Sequence, residues 1–138
     1  MNNKMILKVS AISENEAFLR TCVAAFMLTE DPTVEVVNDV KTAVSEAVTN
    51  SVVHAYPYGD GDITLSCEIT DGYIKIEVRD DGVGIEDVRR AVEPFFTTKA
   101  EEERSGLGFT VIKSFMDEVE ITSERGVGTT VFMKKKIA

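Results

Sequence analysis

The stretch Arg79-Asp80-Asp81-Gly82-Val83-Gly84-Ile85 decides how the chain must fold. Leading into it, Ile74, Ile76 and Val78 alternate with Lys75, Glu77 and Arg79, the period of a strand with one buried face. The next inward position falls on Asp80, so parity aims a carboxylate at the covered side of a sheet. A buried carboxylate is expensive unless something donates to it: a backbone amide, a water or a ligand. A strand-end Asp that only caps a turn is the plain alternative. Gly82 and Gly84 then permit positive φ and a close approach of the backbone to another group. Asp81 is left facing outward, without a role.

Upstream, Ile63, Leu65, Cys67 and Ile69 alternate with Thr64, Ser66, Glu68 and Thr70, and Asp71-Gly72 is a tight-turn dipeptide, so this strand is the return arm of a hairpin. Met5, Leu7 and Val9 mark a first strand. Ser13-Glu14-Asn15-Glu16 reads as a capping box opening a helix that runs to about Leu28. Phe18, Cys22, Ala25 and Phe26 form its expected apolar stripe, with Leu19 and Val23 beside them and Arg20 on the polar side. After Asp31-Pro32-Thr33, in which Asp31 or Thr33 can cap, a second helix spans about 34–55. Val37, Val40, Val44, Ala47, Val48 and Ser51 are its expected buried face, and Glu46, Asn50 and His54 recur along one flank. Tyr56-Pro57-Tyr58-Gly59-Asp60-Gly61 is a turn cluster.

Downstream, no long period holds over about 86–105, apart from a short helical run at 88–92 that Pro94 stops. A segment of this length containing Phe95-Phe96 suits a lid that docks on something. Ser105-Gly106-Leu107-Gly108-Phe109 opens a third helix, with Leu107, Val111, Ile112 and Phe115 expected inward. A second hairpin follows: Glu118 to Ser123, a turn at Arg125-Gly126-Val127-Gly128, then Thr129 to Lys135. Two hairpins imply a largely antiparallel sheet. Three helices on one face of it make a two-layer α/β (α+β) sandwich.

The 138 residues suit a single domain, 1–138. A hydrophobic share of 43% with 28% charged residues is ordinary for a soluble globular chain. No apolar run approaches the ~20 residues of a membrane span, and no signal-peptide pattern opens the chain, so the expected location is cytoplasmic. With 24 acids against 15 basic residues, the net charge of −9 argues against a free-standing nucleic-acid binder. Protein partners are expected, and any bound polyanion needs local help from amides, Arg or a metal ion. Cys22 and Cys67 form no C-x-x-C pair and read as small core residues.

Together these residues can do specific chemistry. An Asn carbonyl, as on Asn50, is a good single ligand for Mg²⁺, which takes waters and phosphate oxygens for the rest. Arg104 offers a guanidinium fork to a terminal phosphate, and a Gly-rich helix start offers amides to anions. Asp80 can accept from an exocyclic amine, which adenine presents where guanine presents an oxygen. Glu46, one turn from Asn50, can take a proton from a nucleophile attacking a γ-phosphate.

Glu46-x-x-x-Asn50, Asp80-x-Gly82-x-Gly84 and Gly106-x-Gly108, closed by Gly128-Thr129, resemble the N, G1, G2 and G3 boxes of the superfamily of gyrase, heat-shock chaperone, histidine kinase and MutL ATPases. No G-x-x-x-x-G-K-[ST] occurs. From about Met5 to Lys135 the chain is similar to the anti-sigma factor serine kinases, and most to those of the sigma F type. The likeness rests on Ser45-Glu46-Ala47-Val48-Thr49-Asn50, Phe96-Thr97-Thr98-Lys99, Glu103-Arg104-Ser105-Gly106-Leu107-Gly108-Phe109 and Phe115-Met116-Asp117-Glu118-Val119.

The resemblance implies a Bergerat-type fold that binds ATP or ADP with Mg²⁺. Asn50 would hold the metal. Asp80, Gly82, Gly84 and Thr129, or Thr130 in its place, would lie at the adenine. Arg104 and the amides of Gly106, Leu107, Gly108 and Phe109 would hold the phosphates, with Thr97, Thr98, Lys99 and Ser105 also lining the nucleotide. Glu46 would be the base for a serine hydroxyl. The family phosphorylates a small anti-anti-sigma protein on serine, and its homodimers sequester a sigma factor, here a sporulation factor of the sigma F type. Arg20 matches a position used against both partners. Two alternatives stand beside this: a nucleotide-dependent binding module without significant kinase activity, and a kinase of a related stress-response system. A pure binder needs the pocket but not the base, so Glu46 favours the kinase. A histidine kinase domain would need a phosphoacceptor helix pair, for which there is no room, and the single His54 lies inside the second helix.

Overall fold

Alternation along the chain becomes burial in the sheet. The computed structural model describes residues 2–57, 60–84 and 105–138, with side chains from 109 onward in the last stretch. The expected lid over about 86–105, its helical run at 88–92, and Thr97, Thr98, Lys99 and Arg104 lie outside the described residues. The described elements are β1 (Asn3–Ser10), α1 (Glu14–Met27) with a 3-10 turn at Leu28–Glu30, α2 (Val34–His54), β2 (Asp62–Thr70), β3 (Tyr73–Asp80), α3 (Ser105–Phe115), β4 (Glu118–Glu124) and β5 (Gly128–Lys136). The five strands form one sheet in the order β1-β2-β3-β5-β4, with every neighbouring pair antiparallel.

The β2–β3 hairpin turns at Asp71 and Gly72, both at positive φ as a tight two-residue turn requires. Ile63, Leu65, Cys67 and Ile69 of β2 and Ile74, Ile76 and Val78 of β3 are buried against the helices, together with Val131 and Met133 of β5. Each such aliphatic side chain contributes roughly 1.5–3 kcal/mol when fully buried. Burial pushes the Cys67 thiol up to about 12, so it packs as a neutral group. From α2, Val40, Ala43, Val44, Ala47, Val48 and Ser51 face the sheet, while Val37 is only half-buried. Thr33 caps this helix, its Oγ1 accepting from the Val36 amide at 3.2 Å. Asp31 instead ends the preceding turn in the left-handed region.

Two expectations fail, each for a physical reason. The capping box does not form: Ser13 Oγ donates to Glu14 Oε1 at 3.1 Å and Glu16 accepts from Arg20. Ser13 has helical φ and ψ, which turns its hydroxyl away from the amides it would cap. On α1 the buried stripe is Leu19, Val23 and Met27, whereas Phe18 is 50% exposed and Ala25 is exposed. This helix carries apolar residues on two sides, and periodicity alone does not say which side the sheet takes. On α3 Ile112 is buried as expected, with Phe109 and, just past the helix, Met116; Val111 and Phe115 are half-buried, and the Leu107 side chain lies outside the described residues.

Candidate active site

The end of β3 is where the sheet meets α2. Asp80 lies inward as parity demands and is 5% exposed. Its Oδ1 accepts from the Gly82 amide at 3.0 Å and the Thr129 amide at 3.3 Å, and its Oδ2 accepts from Ser51 Oγ at 2.9 Å. Burial raises the carboxyl above its ordinary 3.8, and these three donors pull it back. The donors that a buried carboxylate requires are therefore two backbone amides and one hydroxyl.

Cross-strand pairing separates Thr129 from Thr130. Thr129 pairs with Asp80 and Thr130 with Arg79, so only Thr129 shares the inward face. Its Oγ1 lies 2.8 Å from Ser123 Oγ, a pair that links the two strands of the second hairpin beside Asp80.

Gly82 and Gly84 hold the chain as it leaves β3. A Cβ on Gly82 would run into the Ala55 carbonyl at the end of α2, the carbonyl that accepts from the Val83 amide at 2.8 Å. Gly84 has φ +76, and a Cβ there would meet the Glu124 carbonyl. The close approaches expected of these glycines are thus to the protein's own backbone, on α2 and on the β4–β5 turn. Tyr56 adds a brace: its hydroxyl donates to the Asp62 carbonyl at 2.7 Å and accepts from the Asp81 amide at 2.9 Å. Asp81 itself is exposed, 3.9 Å from Arg79 in a surface ion pair.

One turn apart on α2, Glu46 and Asn50 are both half-buried. Asn50 Nδ2 is buried and has no hydrogen-bond partner among the described residues. A buried amide with an unmade bond calls for an explanation. Turned about its last bond, the same amide presents its carbonyl oxygen, the kind of single ligand that Mg²⁺ takes. The described residues contain no cluster of His, Cys, Asp or Glu fit to hold a metal by itself. A cation completed by phosphate oxygens and waters needs none, so the donor set fits one.

Arg20, on α1, pairs through Nε with Glu16 at 2.9 Å. It also lines a polar cleft of about 270 Å³ with Asn38, Lys41, Thr42, Ser45 and Glu46. The residue expected to meet partners and the residue expected to act as base therefore open on one cleft between two helices. Ser105, Gly106, Leu107 and Gly108 form the first turn of α3, where unpaired amides and the helix dipole favour an anion. The Phe109 ring is 2% exposed, so it anchors that helix in the core and has only its amide to offer.

Sequence reading missed Ser51 as a site residue, and missed the Ser123–Thr129 pair. Ser51 did carry a signal. A hydroxyl on the buried face of a helix needs a partner, and Asp80 was a buried acceptor in need of a donor.

Residues 9–135 match the family model described as a histidine kinase-like ATPase domain. The chain is 51% identical over 138 residues to the anti-sigma F factor of Clostridium acetobutylicum, covering 100% of this chain and 96% of the relative. It is 56% identical over 136 residues to that of Caldanaerobacter subterraneus subsp. tengcongensis, covering 99% and 95%. Among solved structures it is similar to the RsbU and RsbW domains of a Mycobacterium tuberculosis protein, with a TM-score of 0.71 at 17% identity over 98% of this chain and 32% of that one. At that identity the likeness speaks for the fold.

Proposed function

The chain belongs to the anti-sigma F factors, a family built on the histidine kinase-like ATPase domain, and from that premise we propose that it binds and inhibits a sigma factor of the sigma F type and uses ATP to phosphorylate a protein antagonist of that inhibition on serine. The observation that carries the reading is the buried Asp80 carboxylate at the end of β3, held by three donors with acceptor capacity left over, one of them Ser51 of the helix that also bears Glu46 and Asn50.

Each residue then has a task. Asp80 accepts the exocyclic amine of adenine, and Thr129 stands beside it. Asn50 holds Mg²⁺ through its amide oxygen, and the ion supplies charge neutralisation on the phosphates when bound. The first-turn amides of α3, with Arg104, receive those phosphates. Glu46 takes the proton of the serine hydroxyl as it attacks the γ-phosphorus, the bond to the β–γ bridging oxygen breaks and ADP leaves, and the cleft that Glu46 shares with Arg20 admits the protein substrate. The partners are the sigma factor and a small anti-anti-sigma protein, and the working form is a homodimer. No helix among the described residues is long and apolar enough to cross a membrane.

The test is to incubate the chain with Mg·ATP and a candidate anti-anti-sigma protein and map phosphate by mass spectrometry. A single phosphoserine that requires both ATP and the chain is expected. Tight, nucleotide-dependent complex formation without phosphoserine would leave a binding module in place of a kinase.

A further inference from the structure

We infer that Ser51 is a positioning and specificity residue of the base pocket: its hydroxyl fixes the plane of the Asp80 carboxylate so that a single acceptor direction remains to read a base amine. The inference rests on the assignment of Asp80 to the base. An ionised carboxylate has about four acceptor sites on its two oxygens. Two on Oδ1 are taken by the Gly82 and Thr129 amides, and one on Oδ2 by Ser51, at 3.0, 3.3 and 2.9 Å. One site on Oδ2 is left. The two amides belong to the backbone and grip only Oδ1. Ser51 is the one side chain donating to Oδ2 among the described residues, and at 6% exposure water is a poor substitute for it.

The consequence is chemical as well as geometric. An ionised carboxylate accepts from the amine of adenine. A protonated one presents an O–H, which suits a base with an oxygen at that position. Removing the Ser51 donor leaves the desolvation of Asp80 less opposed, so the carboxyl protonates more readily and the preference for adenine relaxes. The other titratable groups that bear on Asp80 among the described residues are Asp81 at the strand exit and the Tyr56 phenol. Asp81 acts in the same direction in both proteins, and burial holds the phenol neutral throughout the acid range.

Mg·ATP and Mg·GTP affinities, measured calorimetrically from pH 5 to 8 on the full chain, test this with Ser51→Ala and Asp80→Asn, each checked for folding by thermal melt. Ser51→Ala should weaken ATP about tenfold at neutral pH, as when only about a tenth of the molecules hold the Asp80 carboxylate in its accepting state and orientation. It should also narrow the ATP-over-GTP ratio and move the acid limb of ATP binding up by about one pH unit. Ser51→Cys, nearly isosteric but a weak donor, should shift the same way and serves where the Ala protein does not fold. Wild-type affinity and an unmoved acid limb in the Ser51 variants, with binding lost in Asp80→Asn, would overturn the role of Ser51 and leave Asp80 at the base. Wild-type affinity in Asp80→Asn would overturn both.

Discussion

Replacing Asp80 with Asn should do two opposite things, and the structure says why. Without nucleotide, the amide can reproduce every bond the carboxylate makes. Its oxygen can still accept from the Gly82 and Thr129 amides, and its NH₂ can donate to a Ser51 hydroxyl turned to accept. What disappears is a buried charge whose pKa stands above its ordinary 3.8, so burial costs the ionised form more than three donors return. For an acid with a raised folded pKa, the folded chain holds the proton more tightly than the unfolded chain. Stability is therefore lost as pH climbs from the unfolded value through the folded one. The Asn protein escapes that loss. It should melt with wild type near pH 4 and above it at pH 7.

With nucleotide the sign reverses. A hydrogen bond to a charged acceptor, worth about 1.5–3 kcal/mol, is lost. An NH₂ facing an adenine amine leaves a buried donor unpaired at about 1–3 kcal/mol more. The sum of about 2.5–6 kcal/mol corresponds to roughly a 10²- to 10⁴-fold weaker Kd. Calorimetric titration with Mg·ATP reads the affinity, and melting curves at pH 4 and pH 7 read the stability. A Kd within threefold of wild type, or a variant that melts several degrees lower at pH 7, would refute the account of Asp80 as a carboxylate kept charged for a ligand at a cost to the fold.

Glu46→Ala should leave ATP binding nearly intact and slow phosphotransfer by ~10²-fold or more, as loss of a general base can; an unchanged single-turnover rate removes Glu46 from that role. Asn50→Ala should abolish the dependence of ATP affinity on Mg²⁺, because it deletes the amide whose buried Nδ2 has no partner among the described residues, while the melting temperature falls little. If Mg²⁺ strengthens ATP binding to that variant as much as to wild type, the ion is held elsewhere. Gly82→Ala should destabilise the chain by several kcal/mol, since its Cβ meets the backbone carbonyl of Ala55 and neither partner is a flexible side chain. A melt within about 2 °C of wild type would show that the junction of β3 with α2 yields.

The sheet was legible because a period of two has a single solution. One inward residue fixes all the others on its strand, and even the awkward Asp80 obeyed. The helices were less so. Phe18, Cys22 and Ala25 make as good an apolar stripe on α1 as Leu19, Val23 and Met27, yet the second set is buried. The choice is made by where α2 and the sheet lie against α1, a relation between distant residues that no local pattern contains. The capping box at Ser13 failed in the same way: the four residue types were right, but the backbone at Ser13 is already helical. Within the site, spacing revealed Glu46 and Asn50 on one flank. The bond from Ser51 to Asp80 spans 29 positions and joins two residues that had each been assigned a place without a partner.

That bond changes what α2 does. Adjacent residues on a helix point about 100° apart. Asn50 therefore looks along the flank that also carries Glu46, while Ser51 looks into the sheet at Asp80. On the roles proposed above, one turn of one helix would address both ends of a bound nucleotide, the metal through an amide and the base through a carboxylate that it orients. The same helix is pinned beyond that turn. The Ala55 carbonyl receives the Val83 amide with Gly82 pressed against it, and the Tyr56 hydroxyl ties the helix exit to β2 and to the end of β3. A shift of α2 along its axis would have to move Asn50, Ser51 and the β3 exit together. The spacing between the proposed metal ligand and base reader would thus be set by helix geometry and a backbone lock, and the polar cleft between α1 and α2, with Arg20 and Glu46 in its lining, opens on the same helix.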